Sequence, residues 1–258
     1  MGEIPKSMAS TARLQCQAVF GEEGEENQMI EHYWRFESLG SKIDRKQHLT
    51  EQEELALSIF RRTIRNIGDR YELGLPWKAE DLRLPNNISS ALKRLYATES
   101  RFRADKDFAR RYTKAIEANI ELGFDRRLRL EEQAGPPGRT WYVPTFLVTN
   151  PNKPEKPRLV FDAASKHQGV CLNDALINGP LLLVNLHDLL LQFRERPYAV
   201  SMDIEKMFLQ VRVREEDQAA FRFLWRQPGD EGPPIAYQMQ VEIFGASSSP
   251  TSCTYVLR

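Results

Sequence analysis

A carboxylate at the end of an apolar segment has the clearest potential for chemistry in this sequence. The β-prone run Tyr198-Ala199-Val200-Ser201-Met202 ends on Asp203, and a short segment separates it from renewed alternation over 210–213. A carboxylate at a strand end is well placed to hold a divalent cation. Phe208 follows Asp203 by five positions and is near enough in sequence to pack beside whatever binds there. An Asp in this position is also common as a cap or turn residue, so the flanking segments must decide between the two interpretations.

Cationic side chains gather on a predicted β-hairpin. Residues 141–162 contain two β-prone segments joined by a turn rich in proline and asparagine. The tip and the returning strand of this hairpin carry Lys153, Lys156 and Arg158. A hairpin that presents cations in this way can clamp a triphosphate, although many such hairpins simply have a soluble tip.

A glycine followed by a run of serines suits a turn that contacts a ligand. Phe244-Gly245 comes shortly after a predicted strand at 235–241, and a glycine there permits the backbone to approach a ligand closely. The following Ser247-Ser248-Ser249-Pro250 is typical of a helix N-terminus, which favours anions.

The elements that must position these residues begin with three predicted helices. Thr50-Glu51-Gln52-Glu53 is a capping-box pattern, and apolar residues then recur at helical spacing until Gly68 ends the helix. A second helix is predicted to begin near Asn87, and a third covers 105–122. The residues predicted to face inward from the second and third helices are Ile88, Leu92, Leu95, Tyr96, Phe108, Tyr112, Ala115, Ile116 and Ile120.

Cations surround the start of the third predicted helix. They are Arg101, Arg103, Lys106, Arg110, Arg111 and Lys114. Such side chains can bind phosphates. A solvated charged face, mixed with Asp105, Asp107 and Glu117, is the commoner outcome for this composition, so both interpretations stay open.

The segments around the carboxylate predict a mixed sheet. A helix over 186–193 ends at Pro197 and leads the chain into a strand at 198–203. We expect that strand to lie at the centre of the sheet, flanked by strands from 210–226 and 235–241.

Changes in composition and in the spacing of apolar residues divide the chain into three parts. Residues 1–40 are predicted to be a flexible acidic tail, because four glutamates and two glycines crowd 21–26. Residues 41–135 are predicted to be a helical connector region, and Gly135-Pro136-Pro137-Gly138 is a strong chain breaker. The mixed region then covers 139–258, so the predicted fold class is α+β.

The composition argues against several functional classes. The net charge is zero, from 36 basic and 36 acidic residues, so any nucleic-acid-binding surface must be local. The three cysteines, Cys16, Cys171 and Cys253, lie far apart and do not combine with the four histidines at zinc-site spacing, which predicts reduced structural thiols. No signal peptide and no membrane-spanning stretch is recognisable, so we expect an intracellular protein with no membrane partner.

Four features now occur in an order that is typical of one family. They are a basic hairpin ending in Arg158-Leu159-Val160-Phe161-Asp162, Leu172-Asn173, the Asp203…Phe208 segment, and Phe244-Gly245…Ser249-Pro250. Together they resemble the fingers and the first half of the palm of a reverse transcriptase. More narrowly, the chain is similar over about residues 33–258 to the polyproteins of Pao/BEL-type long-terminal-repeat retrotransposons. The narrower similarity also includes Leu75-Pro76-Trp77-Lys78, Arg222-Phe223-Leu224-Trp225-Arg226 and Tyr255-Val256-Leu257-Arg258.

This resemblance implies an RNA-directed DNA polymerase, which transfers deoxynucleotides onto a primer on an RNA or DNA template. It implies that Asp203 is catalytic and binds Mg²⁺ with help from the backbone carbonyl of Ile204. It also implies that Phe208 lies under the sugar and excludes a 2′-hydroxyl. The remaining implied contacts are Arg158 with Lys153 or Lys156 for the nucleotide phosphates, Phe244 and Gly245 for the nucleotide pocket, and Ser249 and Pro250 for the template.

The resemblance is incomplete at one decisive point. The family carries a second carboxylate pair in a Tyr-x-Asp-Asp motif, and no such tetrapeptide occurs in these 258 residues. A site with one carboxylate cannot hold two metal ions against their hydration and mutual repulsion. Thumb, connection and RNase H regions are also absent, so we expect a polyprotein fragment that is inactive as this chain.

Two alternatives belong to other functional classes. The first is a domesticated or decayed transposon-derived module that binds nucleic acid or protein without catalysis, and coding sequence that continues with the missing Asp pair would argue against it. The second is an aspartic peptidase, which such polyproteins also carry. It is disfavoured because neither Asp-Thr-Gly nor Asp-Ser-Gly occurs in the chain.

Overall fold

The computed structural model of the chain describes residues 14–15, 49–150, 153–195 and 197–258. Apart from Leu14–Gln15, the acidic tail predicted at 1–40 lies outside this part of the chain, as does Cys16. The described helices are α1 (Glu51–Thr63), α2 (Ile88–Ala104), α3 (Lys106–Glu121), α4 (Leu172–Ala175), α5 (Leu186–Arg194), α6 (Met207–Gln210) and α7 (Ser249–Val256). The described strands are β1 (Leu14–Gln15), β2 (Arg65–Asn66), β3 (Tyr71–Leu73), β4 (Asp125–Arg127), β5 (Thr145–Asn150), β6 (Lys153–Phe161), β7 (Ser201–Met202), β8 (Arg212–Val213), β9 (Arg222–Trp225) and β10 (Ile235–Met239). The mixed α and β content, with small sheets, agrees with the predicted α+β class.

Helix α1 begins at the predicted capping box and ends earlier than predicted. The backbone N–H of Thr50 donates to the Glu53 carboxylate at 2.8 Å, and the N–H of Glu53 donates to the Thr50 hydroxyl oxygen at 3.3 Å. The helix ends at Thr63, whose hydroxyl donates to the Ile59 carbonyl and accepts the N–H of Gly74. The predicted end at Gly68 is therefore wrong.

Helices α2 and α3 pack as a pair, but the buried face of α2 differs from the predicted one. Ile88 and Tyr96 are exposed, whereas Ala91, Leu95, Glu99 and Phe102 are buried. The helix start is held by Asn87, whose amide donates to the Tyr142 carbonyl at 2.7 Å and accepts the Tyr142 N–H at 2.8 Å.

Two long-range contacts set the rotation of α2, because Asn87 fixes its start and Glu99 turns inward to pair with Arg226 at 2.6 Å. Along α3 the buried side chains include the predicted Phe108, Tyr112 and Ile116. Ile120 is exposed, which corrects its predicted inward position.

Three small sheets lie in the larger of two compact units, which comprises Leu49–Leu182 and Lys206–Arg258. Strands β4, β10 and β9 are antiparallel neighbours, β2, β3 and β8 form a second sheet, and β5 and β6 form the predicted hairpin. The largest core cluster extends from Leu75 to Ala246 in sequence and includes Tyr112, Trp141 and Phe223. Because these residues come from both sides of 135–138, the Gly-Pro-Pro-Gly segment is a turn within this unit.

The predicted catalytic carboxylate lies in the smaller unit. The described residues of that unit are 14–15, 183–195 and 197–205. They include α5, found where the sequence predicts it, and a two-stranded antiparallel sheet in which Leu14 pairs with Met202. The prediction of a long central strand over 198–203 is therefore wrong, since the strand covers only Ser201–Met202 and pairs with β1.

Backbone hydrogen bonding and burial explain why residues 198–203 are not the central strand. In the sheet of the larger unit the central strand is β10, which pairs with β9 on one side and with β4 on the other. The apolar side chains of the predicted strand are exposed, by 79% for Tyr198 and 70% for Met202, so burial in a core does not place this segment.

Candidate functional site

The turn at Phe244 and Gly245 is the centre of the candidate site in the larger unit. Gly245 has a φ of +132°, and a Cβ atom there would lie 1.9 Å from the carbonyl oxygen of Phe161. The backbone N–H of Phe161 in turn donates to the Phe244 carbonyl at 3.0 Å. Only glycine fits this position, because any side chain would collide with backbone that cannot move aside. The close approach expected of Gly245 is thus made to the end of β6.

A single asparagine side chain holds the other side of the same turn. The Asn173 amide group donates to the Gly245 carbonyl at 3.2 Å, and its oxygen accepts the N–H of Ser247 at 2.9 Å. The backbone N–H of Asn173 donates to the Ala163 carbonyl at 3.1 Å, which ties α4 to the residues after β6. The Asn173 side chain therefore replaces the backbone partners that this irregular turn lacks.

Two of the predicted nucleotide-binding aromatic residues are in contact. The ring centroids of Phe208 and Phe244 lie 5.6 Å apart at an interplanar angle of 62°, an edge-to-face arrangement. Phe244 is 47% exposed, and Phe208 is half-buried against the core cluster that includes Phe60 of α1. The pair therefore combines a supported ring with an accessible one.

The start of α7 follows this turn, and its two predicted template residues differ in accessibility. Pro250 occupies the first turn of α7 and is exposed, in agreement with the predicted helix start. Ser249 is buried, and its hydroxyl lies 2.8 Å from both the Glu242 carboxylate and the Ile243 carbonyl. The Ser249 hydroxyl therefore makes its hydrogen bonds within the core.

A buried carboxyl group beneath this helix start is absent from the sequence-based prediction. Glu242 is completely buried, and one of its two oxygens has no hydrogen-bond partner. Burial raises the pKa of Glu242 to about 7, against the opposing effect of the hydrogen bond from Ser249. Burial also raises the pKa of the neighbouring Cys253 thiol. An acidic residue between Val241 and Ile243 in an otherwise apolar segment is the sequence signal that indicates it.

A half-buried carboxyl group, that of Asp217, organises the segment Leu75-Pro76-Trp77. Asp217 accepts the backbone N–H of Leu75 at 2.9 Å and the indole N–H of Trp77 at 2.7 Å. Burial raises the pKa of Asp217, although both hydrogen bonds act in the opposite direction. The motif is thereby fixed to the chain that follows β8.

The other predicted site residues belong to other elements. Asp203 follows β7 directly, as predicted, and with Ile204 it belongs to the smaller unit, where both are exposed. Arg158 is exposed on β6 opposite Val148. The backbones of Lys153 and Lys156 lie in the same strand, whereas their side chains are outside the described part of the structure.

A two-metal site around Asp203 needs more ligands than the described residues group together. Mg²⁺ demands near-octahedral oxygen coordination and is usually held by one or two carboxylates together with substrate phosphates. Within the described residues, no three His, Cys, Asp or Glu side chains group closely enough to hold a metal ion. Asp203 and the Ile204 carbonyl stay predicted ligands of such a site. Among the helices described, none is both long enough and apolar enough to cross a bilayer.

Comparison with known proteins adds no family assignment. A scan against protein-family models finds none that matches this chain. A search of curated proteins finds no match either.

Proposed function

We propose that this chain is the fingers and first palm part of an RNA-directed DNA polymerase from a Pao/BEL-type retrotransposon. The reaction is transfer of deoxynucleotides onto a primer that is paired with an RNA or DNA template. One observation carries the proposal: residues of four separate sequence motifs meet around one turn. Phe161, Asn173, Phe208 and Phe244–Gly245 come from motifs that span more than 80 positions, and each contacts the turn or its aromatic pair.

The aromatic pair of half-buried Phe208 and exposed Phe244 suits the base and sugar of a nucleotide. A planar ring offers a flat surface for the sugar, and it leaves no space for an extra hydroxyl if the ring is supported from behind. Phe208 has that support from the core beneath it, and Phe244 adds an exposed ring at its edge. We therefore assign sugar selection to Phe208 and the border of the nucleotide pocket to Phe244 and Gly245.

The phosphates and the metal fall to residues outside the turn. Arg158, together with Lys153 or Lys156, binds the nucleotide phosphates in this proposal, since guanidinium and ammonium groups pair well with phosphate oxygens. Asp203, with the Ile204 carbonyl, provides protein ligands for Mg²⁺. When bound, Mg²⁺ would stabilise the charge of the transferred phosphoryl group.

The second candidate function is a nucleic-acid-binding or protein-interaction module without catalysis. The observation that favours it is the single carboxylate, Asp203, because the 258 residues contain no Tyr-x-Asp-Asp motif. A polymerase fragment and a nucleic-acid-binding module would both bind primer–template, so binding does not separate them. Sugar discrimination does, since only a polymerase selects between ribonucleotides and deoxynucleotides.

Substitution of Phe208 tests the assigned role in sugar selection. The chain is joined to the missing palm and thumb segments of a full-length relative, and incorporation of ribo- and deoxynucleotides is compared. The Phe208→Val substitution removes the ring, and we expect relative ribonucleotide incorporation to rise about ten- to a hundredfold, the equivalent of a steric cost of about 1–3 kcal/mol. Deoxynucleotide use should fall only modestly.

The neighbouring Met207 supplies the matched control for this test. Met207 lies in the same short helix and is also half-buried, so Met207→Val perturbs the same local packing without removing the ring. We expect this control to leave the ribo/deoxy ratio unchanged. An unaltered ratio in the Phe208→Val enzyme would show that Phe208 is a core residue with no part in selection.

A further inference from the structure

A dense group of cations lies where α2 meets α3. We define the α2–α3 corner as the basic side chains Arg101, Arg103, Lys106, Arg110, Arg111 and Lys114. We propose that the α2–α3 corner binds the phosphate backbone of a nucleic-acid strand. None of its residues belongs to the proposed nucleotide pocket, so this is an additional contact surface. The inference rests on the proposed function for the identity of the partner as nucleic acid.

Three cations spaced four residues apart form a continuous ridge along α3. Lys106, Arg110 and Lys114 follow one another at intervals of four residues along α3, and all three are exposed. Residues at this spacing lie on one face of a helix, and each step advances about 6 Å along the axis. A row of exposed cations at that separation can contact successive phosphates of a strand.

The end of α2 carries two further cations of the α2–α3 corner. The guanidinium carbon of Arg101 lies 3.8 Å from the centroid of the Phe108 ring, which holds Arg101 against the first turn of α3. Arg103 is exposed in the last turn of α2, one residue before the chain bends at Ala104 and Asp105. Arg101 is thus held against the Phe108 ring, and Arg103 precedes Lys106 by three positions at the junction of the two helices.

The acidic side chains of the corner are too few to neutralise it. Residues 101–117 contain six basic and three acidic residues, Glu117 included, which leaves three positive charges in a chain whose net charge is zero. Asp105 is the N-cap of α3 and accepts the N–H of Phe108 at 2.9 Å. Asp107 pairs with Arg110 at 2.5 Å and with Arg111 at 2.9 Å. Exposed pairs of this kind contribute about 1 kcal/mol or less, so a phosphate can displace Asp107 at little cost.

The corner is mounted on a rigid part of the fold. Phe102, Phe108 and Tyr112 are buried and in mutual ring contact, and Tyr112 stacks on Trp225 at 5.5 Å. The Tyr112 hydroxyl also donates to the Thr145 hydroxyl at 2.5 Å, which ties α3 to the β5–β6 hairpin. These contacts fix the helix backbones that carry the cations, and a phosphate-binding surface gains affinity when its backbone is already in place.

Salt-dependent binding of defined nucleic acids tests the proposal on the 258-residue chain itself. The probes are a labelled single-stranded RNA of about 20 nucleotides and the matching RNA–DNA duplex, measured by fluorescence anisotropy from low to moderate salt. The corner variant carries Arg103→Gln, Lys106→Gln, Arg110→Gln and Lys114→Gln. We expect the slope of log K against log salt to fall in magnitude by about three, since each lost phosphate contact removes roughly 0.7–0.9 from it.

A charge-matched variant separates the corner from general electrostatics. Exposed arginines elsewhere are replaced in the control, which carries Arg61→Gln, Arg62→Gln, Arg127→Gln and Arg129→Gln and loses the same total charge. For at least one of the two nucleic-acid probes, we expect the control to keep nearly the full slope of log K against log salt. Circular dichroism and thermal unfolding establish that both variants fold like the original chain.

The possible results discriminate between the inference and the proposed function. Loss of slope in the corner variant alone supports the inference, and the two probes show whether a single strand or a duplex is bound. Equal loss in both variants, or no loss in either, overturns the inference while nucleic-acid binding by the chain stands. Failure of the original chain to bind either probe overturns the inference and also counts against the proposed function.

Discussion

Gly245→Ala should be among the most damaging single substitutions in the larger unit, lowering the free energy of unfolding by about 3–5 kcal/mol. The new Cβ would lie 1.9 Å from the Phe161 carbonyl oxygen and 3.0 Å from its carbon, so the turn or the end of β6 must shift. The φ of +132° adds backbone strain for any residue with a side chain. Urea unfolding of the original chain and the variant, followed by circular dichroism, measures the difference.

Gly229→Ala is the matched control for this substitution. Gly229 also has a positive φ, of +93°, but a Cβ there would meet no heavy atom within 4 Å. Backbone strain is then the sole cost of the substitution, and we expect the free energy of unfolding to fall by about 1–2 kcal/mol. Similar losses at the two positions would contradict the close approach between Gly245 and Phe161.

The free energy of unfolding between about pH 4.5 and pH 7 should depend strongly on Glu242. Its pKa is raised to about 7 in the folded chain, whereas the usual value is 4.5, so between these pH values the folded state holds a proton that the unfolded state releases. The contribution of Glu242 to stability is therefore fully present below about pH 4.5, falls as pH rises toward 7, and is lost above it. The amplitude from this one group is about 3–4 kcal/mol, because one pKa unit corresponds to about 1.4 kcal/mol.

Glu242→Gln removes this dependence, since an amide does not titrate in the range. The free energy of unfolding, measured in urea at intervals from pH 5 to pH 8, should fall less steeply in the variant than in the original chain. Asp125 contributes in the same direction, because burial raises its pKa to about 7 from 3.8. Asp125→Asn should therefore remove a separate part of the slope.

An exposed carboxyl group provides the control for the pH measurement. Glu231 is exposed, and Glu231→Gln should give a pH profile parallel to that of the original chain. If the Glu242→Gln profile is also parallel, Glu242 does not carry a proton at neutral pH in the folded chain. In that case the interpretation of the cluster beneath α7 is wrong.

The parts of the fold that follow from the sequence are those with local signals. The capping box of Thr50 and Glu53 marks the start of α1, and the proline in the first turn of α7 marks another helix start. The β5–β6 hairpin is predictable because its two strands are joined by a short turn of typical composition. Each of these signals depends on residues a few positions apart.

The features that the sequence does not predict depend on partners far along the chain. The buried face of α2 is set by the contact of Asn87 with Tyr142 and of Glu99 with Arg226, over 55 and 127 positions. The pairing of β7 with β1 joins Met202 to Leu14, and no periodicity indicates that choice.

The candidate site shows the same division. The contact of Phe208 with Phe244 and the tight turn at Gly245 agree with motifs visible in the sequence. The side-chain bridge from Asn173 to Gly245 and Ser247 requires knowledge of which loops meet, although the Leu172-Asn173 motif indicates the residue. Glu242 is visible only as an acid in an apolar segment, and its partner Ser249 emerges from the structure.

We propose that Asp203 is a metal-binding carboxylate of a nucleotidyl-transfer site. Primer extension is the direct test of this role. A labelled primer on an RNA template is incubated with deoxynucleotides and Mg²⁺ or Mn²⁺. The proteins compared are the 258-residue chain, the chain joined to a palm and thumb that carry Tyr-x-Asp-Asp, and the Asp203→Ala form of each. We expect no product from the chain alone, extension by the joined enzyme, and loss of that extension in its Asp203→Ala form. Extension by the joined enzyme that survives Asp203→Ala would contradict the assignment, and extension by the 258-residue chain alone would show that its metal ligands lie elsewhere.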